Sequence, residues 1–427
     1  MLPDLKSDLD SLTACLPEFF ALAGPDIWKK RAAQLARDAL ESPFLAKIVS
    51  HYHWLELALS EQVLASTPAA AEIEISSLDA LSALYFAQMV VEAHRHLSPA
   101  GQTALQGRIR DSLKAPTGFS SLHLEINTAR LLIEAGFEVE FSDLENHARH
   151  DLRFWKGDAD GEVECKSLST DAGRKIHRKD FYRFIDTFGS EVARRANGGA
   201  NEILLITLAD RLPSDTERQK PLRNAVRDML TGPALGRVQK EFFTVDRHDF
   251  AGPLVAASRK TTKEFYKACR DAYGDNCHVS GAMTPKGCCL LVMRSNREDD
   301  HSKPLLEALK EAATQFSATR PAFIAIQFDD ITPPDLLASH FHRRIGLLSH
   351  HLFRECPADH VAATYFGIYG GLTASEGGIG VPAIAIPNPT CRFHLVPSRY
   401  SPFLSHIPDA EFAQLLGASL PAPNSSR

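Results

Sequence analysis

An aspartate at position 151 and the tripeptide Glu164-Cys165-Lys166 make the chemically richest stretch of this sequence. One short strand-like run opens at Asp151, and the next closes on the tripeptide. In a strand, residues two apart share a face, so Glu164 and Lys166 lie together while Val163 and Cys165 turn toward a core. Two carboxylates and an amine on neighbouring strands suit a hard divalent cation with a polarised water, which is the chemistry of phosphodiester hydrolysis. Asp151 and Glu164 are the expected direct ligands. Lys166, close to both, stays protonated and can position the water or offset charge on the phosphate. Glu162 shares the face and rivals Glu164, which is preferred for standing two residues from the lysine. The plainer accounts are a turn for Asp151 and a self-neutralising edge pair for Glu164 and Lys166.

Upstream, Glu125 falls on the helical face of Leu122, Ala129 and Leu132. A carboxylate there is costly unless it is paired or binds metal. Either it holds the cation, directly or through water, or it sits at the margin of the face and pairs with an arginine.

The elements that must position these groups follow in order. A helix over about 119–135 stops at Gly136, and strands follow at FEVEF and DLRFW. The turn at 157–161 leads into a third strand, EVECKSL. A long helix over 178–196 and an apolar strand, EILLITL, complete an α-β-β-β-α-β order.

With Glu125 on the first helix, Asp151 on the second strand and Glu164-Cys165-Lys166 on the third, this order resembles the PD-(D/E)XK nuclease superfamily. The resemblance covers about residues 119–210, and His150 precedes the aspartate where that family often has proline. It implies a restriction-endonuclease-like core using Mg²⁺, with Mn²⁺ as a substitute. It also implies a nuclease acting on DNA in preference to RNA, and a homodimer for duplex cleavage. The alternative is a protein that keeps the fold as a nucleic-acid-binding or scaffold module without cutting.

At 427 residues the chain exceeds one ordinary core. The expected division is a helical region over 1–115, the nuclease-like core over 116–214 and a C-terminal α/β region over 215–427. The first region shows apolar residues at three- and four-residue steps, broken near Pro68, and no recognisable chemistry. It is expected to bind a regulatory partner, an arrangement suited to bacterial defence or mobile elements. The last region offers strands at PLVAAS, CCLLVM, AFIAIQF, AATYFGIY and PAIAIP, with helices near 303–317 and 335–355, which suggests a mostly parallel sheet. The tail PAPNSSR reads as disordered.

A net charge of −6 gives no global field for nucleic acid, so any such surface is local. Arg174, Lys175, His177, Arg178, Lys179 and Arg183 supply a basic loop and helix start for phosphate contacts, or else a solvated helix start. The stretch 258–270 reads first as an amphipathic helix. Eight scattered cysteines without a CxxC pair point to reduced thiols. There is neither a signal peptide nor a membrane-length apolar run, so a cytoplasmic location away from membranes is expected. His340, His342, His350, His351, Cys356 and His360 lack convergent zinc spacing. GIYGGLTASEGGIG has no Gly-Lys-Ser/Thr, Asp329-Asp330 read as a turn, and no GxSxG is present.

Overall fold

The computed structural model describes residues 9–42, 44–46, 52–64, 77–169, 171–232, 236–250, 254, 262–329, 339–370, 373–375, 378–380, 383–400 and 403–404. Pro68, the tail and most of PLVAAS lie outside them. Six helices come first: α1 (Leu9–Ala14), α2 (Leu16–Ala23), α3 (Pro25–Glu41), α4 (Trp54–Leu64), α5 (Ser77–His96) and α6 (Pro99–Ser112). Then come α7 (Ser120–Glu134), β1 (Glu138–Phe141), α8 (Ser142–Asn146), β2 (Leu152–Lys156) and β3 (Ala159–Leu168). The chain next forms α9 (Arg178–Asp186), α10 (Gly189–Asn197), β4 (Asn201–Leu208), α11 (Thr216–Thr231), β5 (Arg237–Gln239) and β6 (Phe243–Asp249). These are followed by α12 (Thr262–Tyr273), β7 (His278–Met283) and β8 (Cys288–Ser295). Last are α13 (Ser302–Ala313), β9 (Ala322–Phe328), α14 (Ser339–Glu355), β10 (Val361–Ile368), β11 (Thr373–Ser375), β12 (Gly378–Gly380) and β13 (Ala383–Pro387).

The protein divides into two compact units. One comprises the described residues of Met1–Ala36, Ser50–Thr170 and Ser302–Arg427; the other comprises those of Arg37–Val49 and Asp171–His301. This is not the division expected from composition. The N-terminal helices share one core with the segment that carries Asp151 and Glu164, because Phe19, Trp28, Phe86 and Phe119 are buried in the same cluster as Phe154 and Val163.

The first unit holds a six-stranded sheet in the order β1-β2-β3-β9-β10-β13. Alternation fixes its two faces. Val163, Phe323 and Ala325 join the core shared with α7, while Ile324, Ile326 and Phe366 pack with Leu305, Leu309 and Leu352 of α13 and α14. β3 runs parallel to β9, and β9 parallel to β10; the other pairings, β1 with β2, β2 with β3 and β10 with β13, are antiparallel. The sheet is therefore mixed, where a mostly parallel one was expected.

The second unit has its own five-stranded sheet, β5-β6-β4-β8-β7, in which only β4 and β8 run parallel. EILLITL is a buried strand, β4, but it pairs with β6 and β8 and not beside β3. The helix and strand that follow β1–β3 in the first sheet are α13 and β9, which the chain reaches after residues 171–301. The long helix expected over 178–196 is two helices, α9 and α10, separated at Thr187 and Phe188. The ends of the second unit close on each other. Asp300 N–H donates to the Gly173 carbonyl (2.9 Å), Lys175 N–H to Asp299 Oδ1 (2.8 Å) and His301 Nδ1 to the Ala172 carbonyl (3.1 Å). Gly173 takes φ +83° there, and a Cβ on it would lie 2.0 Å from the Asp300 carbonyl oxygen.

No described helix is long and apolar enough to cross a membrane.

Candidate active site

Asp151 stands one residue before Leu152, which pairs with Val163, so it meets Glu164 at the end of the β2–β3 ladder. Its Oδ2 accepts the Cys165 backbone N–H at 2.7 Å. α7 begins at Ser120 and ends as Gly136 turns to φ +85°. It buries Glu125 on the same face as Leu122, Ala129 and Leu132. α8, the short helix linking β1 to β2, brings a further carboxylate, Asp143. It is closed by His147 in the left-handed conformation, φ 53°. One oxygen each from Glu125, Asp143 and Asp151 lie within 4.8 Å of one another, the one such metal-competent group among the described residues.

The sequence-predicted residues thus come together only in part. Glu125 and Asp151 converge, but their third partner is Asp143 and not Glu164. Glu164 is buried, with its Oε1 3.1 Å from Lys166 Nζ and its Oε2 buried without a hydrogen-bond partner. Lys166 Nζ also donates to the exposed Glu311 of α13 at 2.9 Å. Glu125 is fully inside the face, not at its margin, and it is also paired with an arginine. Arg108 of α6 donates through one terminal nitrogen to Glu125 Oε2 and through the other to Asp143 Oδ2.

Glu162, the rival, is bonded elsewhere and is not in the clustered acidic group. It accepts Ser317 N–H (2.9 Å), Ser317 Oγ (2.6 Å) and Arg320 Nη1 (3.2 Å). These tie the start of β3 to the turn before β9.

Electrostatics follow from burial without enough counter-charge. Burial, then the nearby Asp151 charge, raises Glu125 well above the ordinary carboxylate range against the pull of Arg108. Burial pushes Asp151 up to about 6, opposed by the Cys165 N–H. Burial and the Asp151 charge push Glu164 up to about 8. Asp143 is also raised by burial, with Arg108 opposing. For Lys166, burial favours the neutral form, but its bonds to Glu311 and Glu164 more than offset this and leave it above its ordinary value.

The donor set fits a hard divalent cation. All candidate ligands are carboxylate oxygens. Four carboxylates (125, 143, 151, 164) face two cations, Arg108 and Lys166, so two negative charges are uncompensated when all are ionised. Asp143 Oδ1 and Glu164 Oε2 are buried and partnerless, as oxygens facing a cation would be in its absence.

Asp143 and Arg108 were invisible in the sequence. Asp143 lies in a connection between strands that carried no motif, and Arg108 lies in the helical region read as free of chemistry. The basic cluster, by contrast, belongs to the second unit, and much of its charge is engaged. Arg174 and Arg178 pair with Asp171, Lys175 with Asp210 and His177 with Asp180, while Arg183 is exposed. The part of the 258–270 stretch within the described residues is helical, in α12 from Thr262 on; its first residues lie outside them. Among the histidines weighed for zinc, His342, His350 and His351 are exposed and His360 contacts the Ala313 carbonyl (3.0 Å). The side chain of His340 lies outside the described residues. Asp329 is more than a turn residue: it is buried and accepts Ser120 Oγ and Ser167 Oγ.

No family model, curated protein or solved structure matches the chain. Its function has to be read from the site itself.

Proposed function

We propose that this chain is a metal-dependent nuclease that hydrolyses phosphodiester bonds, with a restriction-endonuclease-like core interrupted by the second unit. The observation that carries the reading is the meeting of Glu125, Asp143 and Asp151 at the end of the β2–β3 ladder, with Glu164 and Lys166 on the adjoining strand. The element order supports it as well: α7, β1, β2 and β3 are completed by α13 and by β9, which runs parallel to β3.

Glu125, Asp143, Asp151 and Glu164 are the residues to hold Mg²⁺ or Mn²⁺. The bound cation would lower the pKa of a water and offset charge on the scissile phosphate. Lys166 keeps its proton through Glu164 and Glu311, and so can orient the attacking water or stabilise charge on the phosphate oxygens. Cys165 N–H fixes Asp151 in rotation. DNA is the proposed substrate over RNA, a preference that rests on the superfamily resemblance. Of the basic residues expected to contact a phosphate backbone, Arg183 is exposed.

Supercoiled plasmid incubated with the full chain and Mn²⁺ tests the reading. The wild type should nick or linearise it, while EDTA or Lys166→Ala should abolish cleavage. An inert wild type, or cutting that Lys166→Ala leaves unchanged, would overturn the proposal. Single-stranded DNA and RNA in parallel tubes identify the substrate. The second reading, a binding or scaffold protein that does not cut, is favoured by one observation: Arg108 already occupies one oxygen each of Glu125 and Asp143. It predicts retention of nucleic acid on a filter without cleavage.

A further inference from the structure

We propose that Arg108 is a positioning residue of the cation site, a role that rests on the metal-site reading above. Arg108 is on α6, outside the helices and strands that carry the acidic groups. Its two terminal nitrogens go to two different carboxylates on two different elements, Glu125 on α7 and Asp143 on α8. Each is taken by a single oxygen, Oε2 and Oδ2.

Asp151 is treated in the same way. A donor that is not a metal, the Cys165 N–H, holds its Oδ2. All three carboxylates of the cluster are therefore pinned through one oxygen by the protein. Among the described residues no hydrogen bond engages the second oxygen of any of them, and that of Asp143 is buried without a partner. Outer groups that hold one carboxylate oxygen commonly orient the other toward a metal.

The guanidinium is suited to this because it is a rigid planar fork. It fixes the separation of two carboxylates that would otherwise repel each other within 4.8 Å. A lysine ammonium offers the same charge as a point and has no fixed fork. Arg108 is also the most exposed member: its side chain is 35% accessible, against 10% for Glu125 and 11% for Asp143.

Two other roles are possible for such an arginine, and they differ in sign. A guanidinium competing with the cation for the same oxygens would weaken metal binding, so removing it would tighten binding. A purely structural ion pair would leave metal affinity unchanged.

Mn²⁺ binding to the full-length chain, read from the free-ion electron paramagnetic resonance signal, separates these roles. Circular dichroism melts confirm that each variant is folded. Arg108→Ala and Arg108→Lys should each bind Mn²⁺ roughly 10–100-fold more weakly than the wild type. Millimolar methylguanidinium should restore part of the affinity of Arg108→Ala and none of that of Arg108→Lys. Wild-type affinity in Arg108→Lys, tighter binding by either variant, or no effect of methylguanidinium on Arg108→Ala would overturn the role of Arg108. A wild type that binds no Mn²⁺ would instead overturn the metal site itself.

Discussion

Proton competition at the carboxylates gives the deepest test of the candidate site. Asp151 titrates near 6 in place of 3.8, and Glu164 near 8 in place of 4.5. Both folded values lie above the unfolded ones. Each group therefore stabilises the cation-free fold below its unfolded value, and that contribution is lost as pH rises through about 6 for Asp151 and about 8 for Glu164. A cation that needs both carboxylates must displace those protons. Between pH 8 and pH 5, proton competition at Glu164 weakens apparent affinity by nearly three orders of magnitude and at Asp151 by about one. The measurement is a thermal melt with Mn²⁺ against EDTA, with Mn²⁺ set about a thousandfold above its Kd at pH 8. There the cation should add about 4 kcal/mol of stability, and at pH 5 less than about 0.5 kcal/mol. Glu164→Gln should remove the share of this dependence that Glu164 contributes and leave that of Asp151 and Glu125. An equal Mn²⁺ gain at both pH values in the wild type would refute the placement of the cation among these carboxylates.

Three further outcomes are expected. Asp143→Asn should weaken Mn²⁺ binding by roughly tenfold or more by isothermal titration, because it removes one of three clustered charges; unchanged affinity would return the third ligand position to Glu164 alone. Glu162→Gln should cost about 1–3 kcal/mol in urea unfolding, through its bonds to Ser317 and Arg320, yet leave Mn²⁺ affinity near wild type. A loss of metal binding there would reinstate Glu162 as the ligand. Gly173→Ala should destabilise the chain by about 2 kcal/mol or more, since it meets both a positive φ and the Asp300 carbonyl; a melt identical to wild type would show that the neck readily relaxes.

The local grammar of the sequence was legible where apolar periodicity and turn residues speak together. The helix ending at Gly136, the hairpin around Gly157 and the Glu-Cys-Lys strand all stand where spacing put them. What failed was non-local. EILLITL has every mark of a buried central strand, and it is one, but a strand's composition says nothing about which sheet it joins. β6 and β7 were missed because FTVDRHD and HVSGAM carry polar residues or glycine in place of an apolar run. In the site, Glu125 was found because a carboxylate on an apolar face is conspicuous. Arg108 and Asp143 were not, since an arginine on an amphipathic helix and an aspartate in a connection look like ordinary surface until the fold brings them together.

The insertion of the second unit between β3 and β9 also sets when these two strands can meet. Ala322 pairs with Glu162 across 160 positions of sequence, so β3 reaches its neighbour β9 only after the whole intervening unit has left the ribosome. A slack connection eight times longer than a twenty-residue crossover adds about 2 kcal/mol of closure entropy. Once Gly173 and Asp300 are joined, the second unit closes most of that loop by itself. Until then the growing chain carries Asp151 and Glu164 on a hairpin with no partner for its inner edge. This order of synthesis withholds the central strand β9 until about three-quarters of the protein has been translated.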